Sequence, residues 1–147
     1  MKDFARLLNH PAISFSPIPN AIKVDNPATG EALAFVRKTD SDGLKLLIQK
    51  AETAQKLWAA KTALERADVL WRWYFLMKEN KEKLARIMTM EQGKSLTEAR
   101  GEIDYAASFV RWFAEEARRI DGDVLTSVKA SQKLVVLKQP VGVTAAI

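Results

Sequence analysis

Gly93, Lys94 and Ser95 come nearest to a phosphate-binding loop among the residues of this chain. Such a loop needs the spacing Gly-x-x-x-x-Gly-Lys-Ser/Thr after a strand, so that its backbone N–H groups can surround phosphate oxygens. The first glycine would fall at Met88, and the preceding residues have helical periodicity. We therefore predict that the triplet ends one helix and begins the next.

Two pairs of carboxylates are spaced closely enough for one to act as a general acid and the other as a general base. They are Glu98 with Glu102 and Glu115 with Glu116. Arg100 lies four residues before Asp104, and Glu115 lies four before Arg119. Opposite charges at this spacing pair on a helix surface, so the sequence predicts ordinary ion pairs and no catalytic carboxylate.

The remaining residue types exclude several kinds of chemistry. With no cysteine and one histidine, His10, the chain lacks a thiol nucleophile, the parts of a Ser-His-Asp triad and enough ligands for a zinc site. No catalytic residue and no metal ligand is predicted. Four tryptophans are expected in the core or at an interface, not on a base-stacking platform. They are Trp58, Trp71, Trp73 and Trp112.

The composition indicates a globular protein. The 147 residues are 48% hydrophobic, and the net charge of +5 comes from 23 basic and 18 acidic residues without long runs of one sign. This mild excess, with no known reader motif, does not predict nucleic-acid binding. Neither a signal peptide nor an apolar run long enough for a membrane span is recognisable, so the expected location is cytoplasmic.

Four segments are predicted. Residues 1–21 form an arm with little periodicity, 22–120 a hairpin followed by helices, 121–139 a second hairpin, and 140–147 a buried strand. Asp40 or Ser41 is expected to cap the first helix. Thr62 with Glu65 has the spacing of a capping box, and so does Ser95 with Glu98. Gly93 is expected just past a helix end.

The longest helix, from Ser95 to about Arg119, has an apolar arc too wide for a helix lying on a single surface. We expect one flank against the other helices and a second flank against another surface. The final residues, with Val141, Val143 and Ile147, have the near-continuous apolar character of a strand covered on both faces. The fold class is therefore predicted as α/β and incomplete.

Several blocks together resemble the amino-terminal part of the aldehyde dehydrogenase superfamily. Each is short, but their order over residues 22–147 is that of the family. They are Asn26-Pro-Ala-Thr-Gly-Glu31, Glu65-Arg-Ala67, Glu91-Gln-Gly-Lys94, Glu98-Ala-Arg-Gly-Glu102, Phe113-Ala-Glu-Glu-Ala117 and Pro140-Val-Gly-Val143. The amino-acid sequence of three segments is most similar to succinate-semialdehyde dehydrogenases, namely Met90–Lys94, Trp112–Glu116 and Gln139–Ile147. Residues 1–21 do not match the family pattern.

The resemblance implies a fold with a Rossmann-like domain binding NAD or NADP, a catalytic domain and an oligomerisation ribbon. The present residues would supply the first hairpin, the helical layer, the ribbon and the first strand of the dinucleotide-binding sheet. In this family a cysteine thiolate attacks the aldehyde and hydride passes to the cofactor. That cysteine would lie beyond Ile147, so the 147-residue chain alone is predicted to be inactive and to bind no cofactor.

The resemblance also suggests individual roles. Gly101 and Tyr105 would line the aldehyde tunnel, and Ile147 would sit where the backbone passes the cofactor. Residues 124–139 would join subunits into a homodimer or homotetramer, with a small aldehyde as the substrate of the complete enzyme. An alternative of another class is a stand-alone, non-catalytic helical interaction module derived from the same fold.

Overall fold

The computed structural model describes residues 6–146, which form a small sheet, four helices and a two-stranded ribbon. The elements are β1 (Ile13–Ser14), β2 (Ala21–Asp25), β3 (Ala32–Arg37), α1 (Ser41–Ala59), α2 (Ala63–Glu79), α3 (Lys81–Gln92), α4 (Leu96–Glu116), β4 (Asp123–Leu125) and β5 (Leu134–Val136). None of these helices combines the length and the apolar character that crossing a membrane requires.

The amino-terminal sheet is antiparallel, with strand order β1-β3-β2. The predicted hairpin is confirmed as β2 and β3, joined by a turn in which Gly30 donates its N–H to the carbonyl of Asn26 and has φ of 73°. The expectation that 1–21 is only an arm was wrong, because Ile13 pairs with Val36 in β1. Ile13 and Ser14, which lie between Pro11 and Pro17, are too few to show the alternation by which a strand is recognised in a sequence.

The helix ends agree closely with the local sequence signals. Asp40 caps α1, and Thr62 with Glu65 forms the complete capping box of α2. Gly93 ends α3 in the left-handed conformation with φ of 75°. At α4 the box is only half formed, because the Glu98 carboxylate accepts from the Ser95 hydroxyl and not from its backbone N–H. The helix ends at Glu116, three residues before the predicted end.

The packed centre lies where α4 meets α2 and α3, and small side chains dominate it. The buried hydrophobic residues are Ala34, Ala67, Ala85, Ala99, Ile103, Ala107, Ala114 and Ala117. Of the four tryptophans expected in the core or at an interface, Trp58, Trp73 and Trp112 are exposed and lie outside this packed centre. Their place at an interface stays a prediction. Alanines let the helix backbones approach closely and leave the large side chains outside.

The carboxy-terminal part departs most from the prediction. The ribbon is present, with Val124 opposite Val135, but β4 and β5 have three residues each and are exposed throughout. The predicted terminal strand is absent, since residues 140–146 have no strand pairing. A strand is defined by hydrogen bonds to a neighbour, and none of the described residues supplies one. Val141 is 93% exposed as a result.

Candidate functional site

Helix α4 presents an aromatic face on the side away from α2 and α3. Gly101, Tyr105 and Phe109 follow at i, i+4 spacing, and Trp112 continues the face one turn later. The Tyr105 and Phe109 rings meet edge to face, with centroids 4.9 Å apart and an interplanar angle of 83°. Tyr105 remains 66% exposed. This is the second apolar flank that the sequence predicted.

Gly101 leaves a gap beside this face. A Cβ atom built on Gly101 would have no non-neighbouring atom within 4 Å. The opposite side of α4 is buried through Ala99, Ile103 and Ala107, so the helix is held from one side and open on the other. The structure thus brings the two predicted tunnel residues, Gly101 and Tyr105, onto one accessible face. Their predicted role in lining a tunnel stays a prediction.

Charged residues border the aromatic face. The Asp104 carboxylate accepts from the ammonium groups of Lys78 at 2.6 Å and Lys81 at 2.5 Å. Hydrogen bonds from Lys78 and then Lys81 lower the pKa of Asp104, and the bond to Asp104 raises the pKa of Lys78. The expected Arg100–Asp104 pair is therefore not formed. Glu102, on the other side of the helix, pairs with Lys94.

The other charged residues of α4, and Arg119 just after it, also form ion pairs or hydrogen bonds. Arg100 binds Glu82 of α3, Glu115 pairs with Arg111, and Arg119 pairs with Glu116 instead of Glu115. Each of the four glutamates considered for acid–base catalysis has a structural partner. Glu98 bonds to Ser95, Glu102 to Lys94, Glu115 to Arg111 and Glu116 to Arg119, so neither candidate pair consists of free carboxylates. Ion pairing was predicted correctly in kind. The partners were predicted wrongly: those of Arg100 and Asp104 lie on α2 and α3. Glu115 and Arg119 pair with nearby residues other than each other.

The remaining sequence candidates have structural roles. Lys94 of the candidate phosphate loop pairs with Glu102, between the end of α3 and the cap of α4. His10 accepts a hydrogen bond at Nδ1 from the Ala12 N–H in the loop before β1. Within residues 6–146 no three metal-ligating side chains cluster, and the whole chain lacks cysteine. The chain therefore supplies no thiol.

A groove of about 850 Å³ runs between α1 and residues 141–145. Leu47, Ile48 and Ala51 line its helical side. Many dinucleotide sites have a glycine-rich turn between a strand and the following helix, and residues 6–146 contain no such turn after a parallel strand. No described residue is therefore assigned to a cofactor. Ile147, the predicted cofactor neighbour, lies outside the described residues.

Known proteins share this arrangement of hairpin, helices and ribbon. The sequence profile of the aldehyde dehydrogenase family matches residues 16–147. The chain belongs to the aldehyde dehydrogenase family. It is 53% identical over 127 residues to the NADP(+) succinate-semialdehyde dehydrogenase of Escherichia coli, covering 86% of this chain and 26% of that protein.

Two further relatives support the assignment to the aldehyde dehydrogenases. The glutarate-semialdehyde dehydrogenase of Pseudomonas aeruginosa is 53% identical over 126 residues, covering 86% of this chain and 26% of its own length. The crystal structure of succinate-semialdehyde dehydrogenase from Burkholderia pseudomallei superposes with a TM-score of 0.80 at 48% identity, covering 83% and 25%. The chain thus spans about a quarter of the length of the relatives it matches, in their amino-terminal portion.

Proposed function

We propose that this chain is the amino-terminal part of an NAD(P)-dependent aldehyde dehydrogenase that oxidises succinate semialdehyde to succinate. The 53% identity to the Escherichia coli enzyme over 127 residues carries this proposal. The Pseudomonas aeruginosa relative is named for glutarate semialdehyde. Both names describe aldehydes with a carboxylate at the far end, so the proposed substrate class is an ω-carboxy aldehyde.

The exposed surface supports a role as part of a larger protein. The chain exposes 11674 Å², whereas a compact monomer of 16.5 kDa exposes about 7,500 Å². Much of the difference is apolar, including Leu44, Leu47 and Leu57 of α1 and the aromatic face of α4. Large apolar patches on a single chain mark contact surfaces. The alternative, a self-contained interaction module, would be expected to bury more of its own apolar surface.

Within the complete enzyme we assign parts of this chain as follows. The face with Gly101 and Tyr105 lines the path of the aldehyde, and the exposed β4–β5 ribbon pairs with another subunit. Two short strands alone are marginally stable, which favours such pairing. The thiol that attacks the aldehyde must come from residues outside this chain, because the chain contains no cysteine.

The test compares two proteins. The product of the complete reading frame is assayed for reduction of NAD+ and NADP+ with succinate semialdehyde, glutarate semialdehyde and propionaldehyde, and the 147-residue chain serves as the control. We expect the longer protein to prefer the carboxylated aldehydes and the control to be inactive. A longer product that oxidises no aldehyde would refute the dehydrogenase proposal. A reading frame that stops after Ile147, with a monomeric and cooperatively melting product, would establish the interaction module instead.

A further inference from the structure

The Asp104 carboxylate connects α4 to both α2 and α3. Its Oδ1 accepts from Lys78 of α2 and its Oδ2 from Lys81 of α3. These lysines flank Asn80, which ends α2 and begins α3. One side chain of α4 is thus held at the junction of the two helices against which α4 packs.

A second contact lies one turn earlier on the same side of α4. Arg100 donates two hydrogen bonds of 2.8 Å to the two carboxylate oxygens of Glu82. A single ion pair would let the helix pivot about it. Two pairs spaced by one turn oppose both rotation about the helix axis and sliding along it.

The hydrophobic contact between α4 and its neighbours consists mainly of small side chains. Buried positions of α4 are mostly alanine, and Ala99 and Ile103 form a cluster with Ala85 of α3. The partly buried Leu84, Met88 and Leu96 pack against this cluster. Helices are fixed in orientation when ridges of side chains enter grooves of the neighbour, and alanine forms only shallow ridges. Close approach is favoured here, and the ion pairs of Asp104 and Arg100 add resistance to rotation beyond that of the cluster around Ile103.

Rotation of α4 would displace the aromatic face directly. Tyr105 follows Asp104 in sequence, about 100° further around the helix. A side chain 5–6 Å from the helix axis moves by about 1 Å when the helix turns by roughly 10°. A displacement of this size is enough to disturb the fit of a bound substrate.

We infer that Asp104, with Lys78 and Lys81, is a positioning residue that fixes Tyr105 against the aldehyde path. The inference rests on the proposed function, because it assigns the α4 face to the aldehyde. Asp104 itself does not touch substrate. Its effect should appear in the apparent affinity for the aldehyde and not in the chemical step.

The test uses the complete enzyme with Asp104→Asn and, as a matched control, Glu115→Gln. Both changes remove one carboxylate charge from α4, but the Glu115 pair with Arg111 stays within the helix. We expect Asp104→Asn to raise KM for succinate semialdehyde about three- to tenfold, with kcat and the Kd of the oxidised cofactor changed less than twofold. Asp104→Glu should recover part of the KM, and the control should match the unmodified enzyme.

The possible outcomes separate the two proposals. If the unmodified enzyme is active and Asp104→Asn behaves like Glu115→Gln, the positioning role is wrong and the proposed function stands. The role is equally wrong if KM, kcat and cofactor Kd all deteriorate together, since that indicates general loss of structure. An unmodified enzyme without aldehyde oxidation refutes both. Should Asp104→Asn fail to fold, Arg100→Lys, which keeps the charge but loses the paired geometry, must raise KM in the same direction.

Discussion

Arg100 of α4 binds Glu82 of α3 with both ends of its guanidinium fork, Nε to Oε1 and Nη2 to Oε2, each at 2.8 Å. Two parallel charge-assisted hydrogen bonds define geometry better than a single contact does. The bond from Arg100 lowers the pKa of Glu82, and the same bond raises the pKa of Arg100. This pair fixes α4 to a helix that begins fifteen positions earlier in the chain.

The Glu82 pair predicts a dependence of stability on pH. Because the folded-state pKa of Glu82 is lowered, its contribution is present above the unfolded-state pKa and is lost as pH falls through the folded-state value. In urea unfolding, Glu82→Gln should therefore be less stable than the unmodified chain at pH 7, and the difference should shrink as the pH falls through the lowered pKa of Glu82. High salt should reduce it as well.

Glu52→Gln provides the control for Glu82, since Glu52 forms no ion pair with any residue in 6–146. Its stability should follow that of the unmodified chain as the pH falls. A difference between Glu82→Gln and the unmodified chain that persists unchanged once Glu82 is protonated would contradict an electrostatic origin.

The capping box of α2 predicts a local loss of stability. The Thr62 hydroxyl accepts from the Glu65 N–H, and the Glu65 carboxylate accepts from the Thr62 N–H at 2.8 Å. Thr62→Ala should cost about 1 kcal/mol in the free energy of unfolding. Thr53→Ala is the matched control, because Thr53 lies inside α1 and only bonds back to the carbonyl of Gln49. A control that loses as much stability as Thr62→Ala would argue against the cap.

Which features could be predicted depends on the range of the interactions. Thr62 and Gly93 were assigned correctly because a cap is formed by residues three or four positions apart. Arg100 was paired with the wrong residue because its partner, Glu82, is eighteen positions away on another helix. No spacing rule in a single sequence identifies such a partner.

The absence of the terminal strand and the exposure of the tryptophans have a related cause. The apolar run around Val143 has the composition of a buried strand, but a strand also needs a neighbour to bond with, and residues 6–146 offer none there. Trp112 has the helical position of a core residue and lies on the open flank of α4 instead. Periodicity identifies that a face is apolar, while the partner of that face is set by tertiary contacts.

Replacing Gly93, at the end of α3, by alanine should lower stability more than the same replacement at Gly30. Gly93 and Gly30 have nearly equal φ values of 75° and 73°. A residue with a Cβ costs about 1–2 kcal/mol in this left-handed region. At Gly93 the added Cβ would also lie 3.0 Å from Cγ of Pro27, whereas at Gly30 it would meet nothing within 4 Å.

Gly93→Ala should therefore lower the urea midpoint more than Gly30→Ala does. The additional loss should disappear in the double variant Gly93→Ala with Pro27→Ala, measured against Pro27→Ala alone. Equal midpoints for the two single glycine variants would mean that the Pro27 contact relaxes at no cost.

Gly122, directly before β4, is a position at which we expect no larger residue to fit. A Cβ on Gly122 would overlap the backbone oxygen of Val136, and no rotamer change can relieve a contact with backbone. Gly122→Ala should separate β4 from β5 and weaken any self-association of the chain in sedimentation experiments. Lys129→Ala, at the exposed tip of the ribbon, is the control and should leave association intact. Unchanged sedimentation of Gly122→Ala would show that the ribbon is not the subunit contact.

Gly101 gives a prediction in which stability and substrate binding change in opposite directions. It lies inside α4 with open space around the position of a Cβ, and glycine within a helix is less stable than alanine by roughly 0.5–1 kcal/mol. Gly101→Ala should therefore raise the free energy of unfolding. If this face lines the aldehyde path, the same methyl group narrows the gap beside Tyr105, and KM for succinate semialdehyde in the complete enzyme should rise. Ala106→Gly, at an exposed position of the same helix, should lower stability without raising KM. A stabilised Gly101→Ala enzyme with unchanged KM would exclude this face from the substrate path, because folding damage could not explain that result.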